Sequence, residues 1–148
     1  MPANTDPIWS KNARLESILV TAANTSSQGG GTIATDIFKA ATADVTNGSL
    51  IRFIRWIPTA TTPTTTTATV GRVFLSSVTS GATTSANTHL VAELTLPAIA
   101  ADNASSAAVW FDCCRDLTVP AGWTVLVTNH AAPAANTGWR AVVSLGDF

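Results

Sequence analysis

The sequence predicts an all-β protein: a single eight-stranded antiparallel β-sandwich preceded by a short extended N-terminal arm. Three observations carry that expectation. Short runs of β-branched and apolar residues recur along the whole chain, each bounded by clusters of Gly, Pro, Asn or Ser. No run shows the 3.6-residue spacing of an amphipathic helix, although "PAIAADNASSAA" has room for one helical turn. The chain has 148 residues, enough for one core. A domain of that size buries roughly 70% of the surface its unfolded chain exposes.

Residues 1–13 read as the arm and 14–148 as one domain. Its strands are expected at 14–22, 32–39, 49–57, 68–77, 88–96, 107–114, 123–129 and 139–146. In order, "RLESILVTA" stops at "ANTSSQGGG", "TIATDIFK" at "ADVTNG", and "SLIRFIRWI" at a threonine-rich stretch. "ATVGRVFLSS" then stops at "VTSGATTSAN", "THLVAELTL" at "PAIAADNASS", "AAVWFDCC" at "RDLTVPAG", and "WTVLVTN" at "HAAPAANTG", before the last strand, "WRAVVSLG". The stopping segments have turn and loop compositions. Eight short strands at regular spacing point to a sandwich of the jelly-roll type.

Alternation assigns the faces. In the fifth strand Leu90, Ala92, Leu94 and Leu96 share an expected core side, opposite His89, Val91, Glu93 and Thr95. The third strand breaks the rule. Strict alternation puts Ile51, Phe53 and Ile57 on one side and Leu50, Ile54 and Trp56 on the other, with Arg52 and Arg55 interleaved. At ~25 cal/mol per Å² of apolar area, a second face left in water forfeits several kcal/mol. Another segment or another protomer is therefore expected to cover Leu50, Ile54 and Trp56. In "PTATTPTTTTATVGRVF", the stiff β-branched threonines favour extended chain, while Pro58 and Pro63 lack donors that a central strand needs. An exposed connection is expected there.

Charged residues make up only 11% of the chain, against a usual ~25%. Thr, Ser, Ala and Asn must then form most of the surface, which suits a protein packed against copies of itself or a larger assembly. Net charge is −1 and the eight basic residues are spread from Lys11 to Arg140. That pattern holds no basic patch for nucleic acid. No stretch approaches the ~18 apolar residues of a membrane span, and the first twenty residues lack the basic start and apolar centre of a secretory signal. The expectation is a chain made in a cytosol, so the sequons at Asn24, Asn47 and Asn103 carry no weight.

The search for chemistry finds little. Cys113 and Cys114 are adjacent, and neighbours on a strand point to opposite faces, so they are expected to stay reduced and partly buried. His89 and His130 lie in no ligand-spaced motif, so no metal is expected. "GGGTIA" at 29–34 fits G-x-G-x-x-A formally, but it lacks the preceding strand and following helix of a dinucleotide site. Asp112 and Asp116 form a conceivable acid pair for glycoside hydrolysis, better read as a solvated strand end. No cofactor is expected, and an enzyme is the least favoured class. Trp9, Trp56, Trp110, Trp123 and Trp139 are enough for a glycan platform, yet four of the five fall inside or at the start of strands, where core or protomer contact is the default. Ile8 and Trp9, an apolar pair in a polar arm, read as an anchor onto a partner.

"GTIATDIFKA", "NGSLIRFIRWIP", "TATVGRVFLSS", "LVAELTLPA", "LTVPAGWTVLVT" and "GWRAVVSLGDF", in this order, resemble the small jelly-roll virion proteins of tailed bacteriophages. The resemblance covers residues 31–148, and the threonine insert, the cysteine pair and the arm depart from it. It implies a head decoration or cement protein, commonly a homotrimer. Such a protein is made in the host bacterial cytoplasm and sits on the capsid surface of the virion, with the major capsid protein and its own copies as partners and no catalytic residues. The apolar pair in the arm and the two-faced third strand make Ile8, Trp9, Leu50, Ile54 and Trp56 the expected contact residues. The alternatives are a tail or head-fibre component and a carbohydrate-binding β-sandwich module, both with glycans as ligand.

Overall fold

The computed structural model describes residues 11–101 and 109–148. Among them the chain forms strands and no α-helix, so the all-β expectation holds. Two antiparallel sheets carry the architecture. The first orders β1 (Asn12–Val20), β13 (Thr137–Asp147), β4 (Ser49–Ala60) and β10 (Phe111–Cys113), with β11 (Leu117–Val119) also paired to β4. The second orders β3 (Phe38–Thr42), β12 (Thr124–Asn129), β6 (Thr69–Ser76) and β8 (Thr88–Leu96). Two short ribbons join β2 (Gly31–Thr32) to β7 (Ala82–Thr83) and β5 (Thr64–Thr65) to β9 (Ala100–Ala101).

The main core lies between the two sheets. Val20, Ile51, Ile54, Trp56, Trp139, Ala141, Val143 and Leu145 from the first meet Phe38, Ala40, Val73, Leu96, Val125 and Val127 from the second. A smaller cluster of Ile37, Phe74 and Leu126, with Ile33 against it, sits on the other side of the second sheet. Every residue of β12 is consequently buried, polar Thr124, Thr128 and Asn129 included.

A bulge resolves the two-faced third strand. β13 pairs Ser144 with Phe53 but Leu145 with Ile51, so Arg52 is an extra residue on β4. One extra residue inverts the alternation beyond it. Ile51, Ile54 and Trp56 therefore share the interior, each 0% exposed, while Leu50, Phe53 and Ile57 share the outer face, half-buried. The covering layer expected over Ile54 and Trp56 is the second sheet of the same chain. A similar shift on β8, where Val73 pairs with Ala92 and Phe74 with Leu90, leaves out Val91 and turns Leu90 off the core side to 41% exposure.

Other differences are local. The expected strand at 32–39 divides because Asp36 Oδ1 accepts from the Thr32 N–H at 2.6 Å and the Thr32 carbonyl accepts from the N–H groups of Thr35, Asp36 and Ile37. The chain thus turns between β2 and β3. The expected strand at 107–114 is described from residue 109 and is paired only at 111–113, where left-handed φ values at Cys114 (58°) and Asp116 (53°) interrupt it. Pairing with β4 resumes at β11, inside a segment expected to be loop.

The threonine stretch is only partly an exposed connection. β4 runs through Pro58 to Ala60; β10 begins opposite Trp56 and pairs no further along β4, so Pro58 meets one neighbouring strand among the described residues, Trp139 on β13. Thr61, Thr62 and Pro63 are exposed, but Thr66 is buried, its N–H donating to the Ile99 carbonyl at 2.8 Å and its Oγ1 accepting from the Ile99 N–H at 3.0 Å.

Candidate functional site

The outer face of the five-stranded sheet follows from the same alternation that builds the core. On β1 the side chains of Arg14, Glu16, Ile18 and Val20 are at least partly covered, which leaves Leu15, Ser17 and Leu19 on the opposite side. Leu15 is 70% exposed. On β13 the outward residues are Arg140, Val142 and Ser144, and on β4 they are Leu50, Phe53, Arg55 and Ile57. This face is mostly aliphatic and aromatic, in keeping with the low charge of the chain.

Arg55 organises one end of it. Its Nε and Nη2 donate to Oδ1 and Oδ2 of Asp112, directly across the β4 to β10 pairing, at 2.8 and 2.9 Å. The guanidinium carbon lies 4.9 Å from the Phe53 ring centre and 4.8 Å from that of Trp110, itself 49% exposed. A planar cation between two π faces, neutralised by a bidentate carboxylate, orders those side chains without leaving free charge. The Asp112 hydrogen bonds raise the Arg55 pKa above its ordinary value, and the same bonds hold the Asp112 carboxyl below its own. Arg115 Nη2 adds a weaker contact to Asp112 at 3.9 Å.

Of the contact residues expected from sequence, Leu50 lies on this face. Ile54 and Trp56 do not, because the Arg52 bulge turns them into the interior, where they have no surface to offer a partner. Ile8 and Trp9 lie outside the described residues. Phe53 and Leu15 are contact candidates that sequence reasoning missed, and Trp110 was weighed there only among the five tryptophans; the alternation of "RLESILV" held the signal for Leu15.

The Asp and His side chains singled out from sequence have separate settings among the described residues. Asp112 is held ionised by Arg55, and Asp116 is exposed on a left-handed backbone. His89 stacks on Trp123 with ring centres 5.9 Å apart, and His130 Nδ1 faces Arg72 Nη2 at 3.3 Å. Among the described residues no group of three or more His, Cys, Asp and Glu side chains is placed to hold a metal ion. The loop at 29–34 is tied down by Asn24 Nδ2 donating to the Gly30 carbonyl and to Asp36, and it leads into a turn rather than a helix. No family model, curated protein or solved structure matches the chain. An apolar cleft of about 500 Å³ opens beside the edges of β1 and β3, lined by Ile18, Leu19, Ile33 and Phe38. Trp56 and Trp139 belong to the core, so neither joins Trp110 in a sugar-stacking platform.

Proposed function

We propose that this chain is a virion structural protein, a decoration or cement protein that docks on the mature head lattice of a tailed bacteriophage and stabilises it. The observation that carries the reading is the outer face of the five-stranded sheet, where Leu15, Leu50, Phe53, Ile57 and Trp110 offer apolar area and the Arg55 charge is already neutralised by Asp112. Apart from Arg140, whose charge a docking partner has to pair, such a face loses little by desolvation when it meets another protein surface. The strand order supports a jelly roll. With β10 and β11 counted as one interrupted strand, the eight longer strands run first, eighth, third, sixth in one sheet and second, seventh, fourth, fifth in the other.

In this reading the partners are the major capsid protein and two further copies of the chain in a homotrimer. Stabilisation works by mass action: contacts made with the expanded lattice and not with its precursor shift the equilibrium toward the expanded state. A closed trimer engages through three identical faces at once, and its avidity exceeds that of one face. The exposed part of the threonine stretch, around Thr61 and Thr62, lies along a neighbour, where stiff extended chain loses little entropy on docking.

Co-sedimentation with expanded and unexpanded phage heads tests the reading. The parent protein binds the expanded heads preferentially, and Leu15→Glu combined with Phe53→Glu abolishes that binding while light scattering reports a trimer. Equal binding to both head forms, or undiminished binding by the double variant, overturns it.

A further inference from the structure

The cysteine pair is built differently from two successive strand residues. Cys113 ends β10 opposite Ile54 on the core side. In regular strand the next side chain leaves on the other face, but Cys114 has φ 58°. The left-handed residue turns its side chain back, so both cysteines pack against the main core cluster with their Sγ atoms 3.1 Å apart. Both keep partial exposure as free thiols. On the neighbouring strand Trp56 is fully buried, and its indole Nε1 has no hydrogen-bond partner among the described residues.

We propose that Cys113 and Cys114 form a redox-active dithiol that reacts with small disulfides such as glutathione disulfide, Cys113 supplying the attacking sulfur and Cys114 the resolving one. The electrostatics support that order. A hydrogen bond from the Cys114 thiol holds the Cys113 thiol below its ordinary value against burial and Asp112, which push it up. The same hydrogen bond, burial and the neighbouring sulfur push Cys114 far up. The thiolate is the nucleophile in exchange, so the first attack belongs to Cys113.

In the first step the Cys113 thiolate attacks one sulfur of glutathione disulfide. A protein–glutathione disulfide forms and one glutathione thiolate leaves. In the second, Cys114 gives its proton to solvent and attacks the Cys113 sulfur, expelling the other glutathione. Two protein thiols are oxidised, one glutathione disulfide is reduced to two glutathione molecules, and no other reactant is needed. Closure brings the sulfurs from 3.1 Å to about 2.05 Å within a small ring. Such a strained disulfide is easily reduced again, and labile disulfides of this kind serve regulatory roles more often than structural ones.

The experiment incubates reduced protein with a series of glutathione disulfide to glutathione ratios, quenches with acid and N-ethylmaleimide, and reads intact mass. The expected product is a chain with no disulfide to another copy, two hydrogens lighter than the reduced chain, blind to the alkylating reagent and restored by dithiothreitol. Cys114→Ser is expected to stop at one glutathione adduct, and Cys113→Ser to react at least ~10-fold more slowly than Cys114→Ser, both with parental circular dichroism. Three results overturn the proposal: both thiols alkylated at every ratio, a stable double adduct in the parent protein, or disulfide-linked dimers as the main product. The parent experiment needs no variant, so it stands even if a serine substitution impairs folding.

Discussion

Trp56 of β4 closes on Gly71 of β6 so tightly that a Cβ at Gly71 would stand 3.1 Å from Trp56 Cζ2 and 2.9 Å from Leu96 Cδ1. The contact joins the two sheets, and the absence of a side chain at 71 is what admits the indole. Gly71→Val is expected to lower unfolding free energy by ~1–3 kcal/mol, the usual cost of overpacking, and Gly71→Ala by less because the Leu96 methyl is the end of a movable side chain. Urea denaturation measures both. A valine variant as stable as the parent would mean that the sheets part there at no cost.

Asp147 knots the ends of the first sheet. Ser49 Oγ donates to its Oδ1 at 2.5 Å and Arg14 Nη2 at 2.7 Å, and Arg14 also donates to the Thr42 carbonyl of the second sheet. Burial pushes this carboxyl up, but the bonds from Arg14 and Ser49 outweigh it, leaving it below its ordinary value of 3.8. Asp112 is lowered as well, by Arg55 first. A carboxyl whose folded value is depressed adds stability that is fully present above the unfolded value and is lost as pH falls through the folded one. The thermal midpoint is therefore expected to be flat with respect to these groups from neutrality to about pH 5 and to fall below about pH 4. Asp147→Asn should lower the midpoint at pH 7 and flatten the acid limb. An acid limb identical to the parent's would remove Asp147 from the explanation.

Arg72 is a buried cation on β6, its side chain 8% exposed. Glu93 Oε1 lies 2.6 Å from Nε, the Asn24 carbonyl accepts from Nη1 at 3.2 Å, and His130 is the remaining neighbour. Glu93 is itself nearly half exposed, yet deleting it strips a buried guanidinium of its counter-ion. Glu93→Ala is expected to cost on the order of 1–3 kcal/mol, beyond the ±0.5 kcal/mol typical of surface positions. Chemical denaturation decides, and a loss within the surface range counts against a structural role for the pair.

Arg55→Ala removes the cation between Phe53 and Trp110. The Asp112 carboxyl is expected to return toward the ordinary range, read from its carbon chemical shift across a pH titration. Tryptophan emission should shift as Trp110 loses its ordered neighbour, and the thermal midpoint at pH 7 should fall slightly as the Asp112 contribution is lost. An unmoved Asp112 titration would show that Arg55 is not what holds it ionised.

Much of the fold was legible in the sequence, because strand residues alternate and turn residues interrupt them. "THLVAELTL" and "WTVLVTN" coincide with β8 and β12 apart from one terminal residue. The insertion of single residues escaped. Arg52 and Val91 are ordinary strand residues, and nothing in their chemistry announces a bulge, yet each inverts the facing of the rest of its strand. That is why Ile54 and Trp56 were expected outside and Leu90 inside. The break at Cys114 and Asp116 escaped for a related reason, since neither residue is the glycine that usually marks a left-handed backbone. Leu50 was legible as part of the outer face because it precedes the bulge, whereas Phe53 lies beyond it and changed sides.

The position of β13 has a consequence for the order of events at the ribosome. It follows every other described strand in the chain, yet it lies between β1 and β4 and pairs with both along nearly its whole length. Until it has emerged from the exit tunnel, the first and third long strands of the chain have no bridge between them, and Trp139, Val143 and Leu145 are missing from the core. The sandwich is therefore completed late, by insertion of its closing piece into a waiting slot. An incomplete nascent chain would present two unsatisfied strand edges to its neighbours on a polysome.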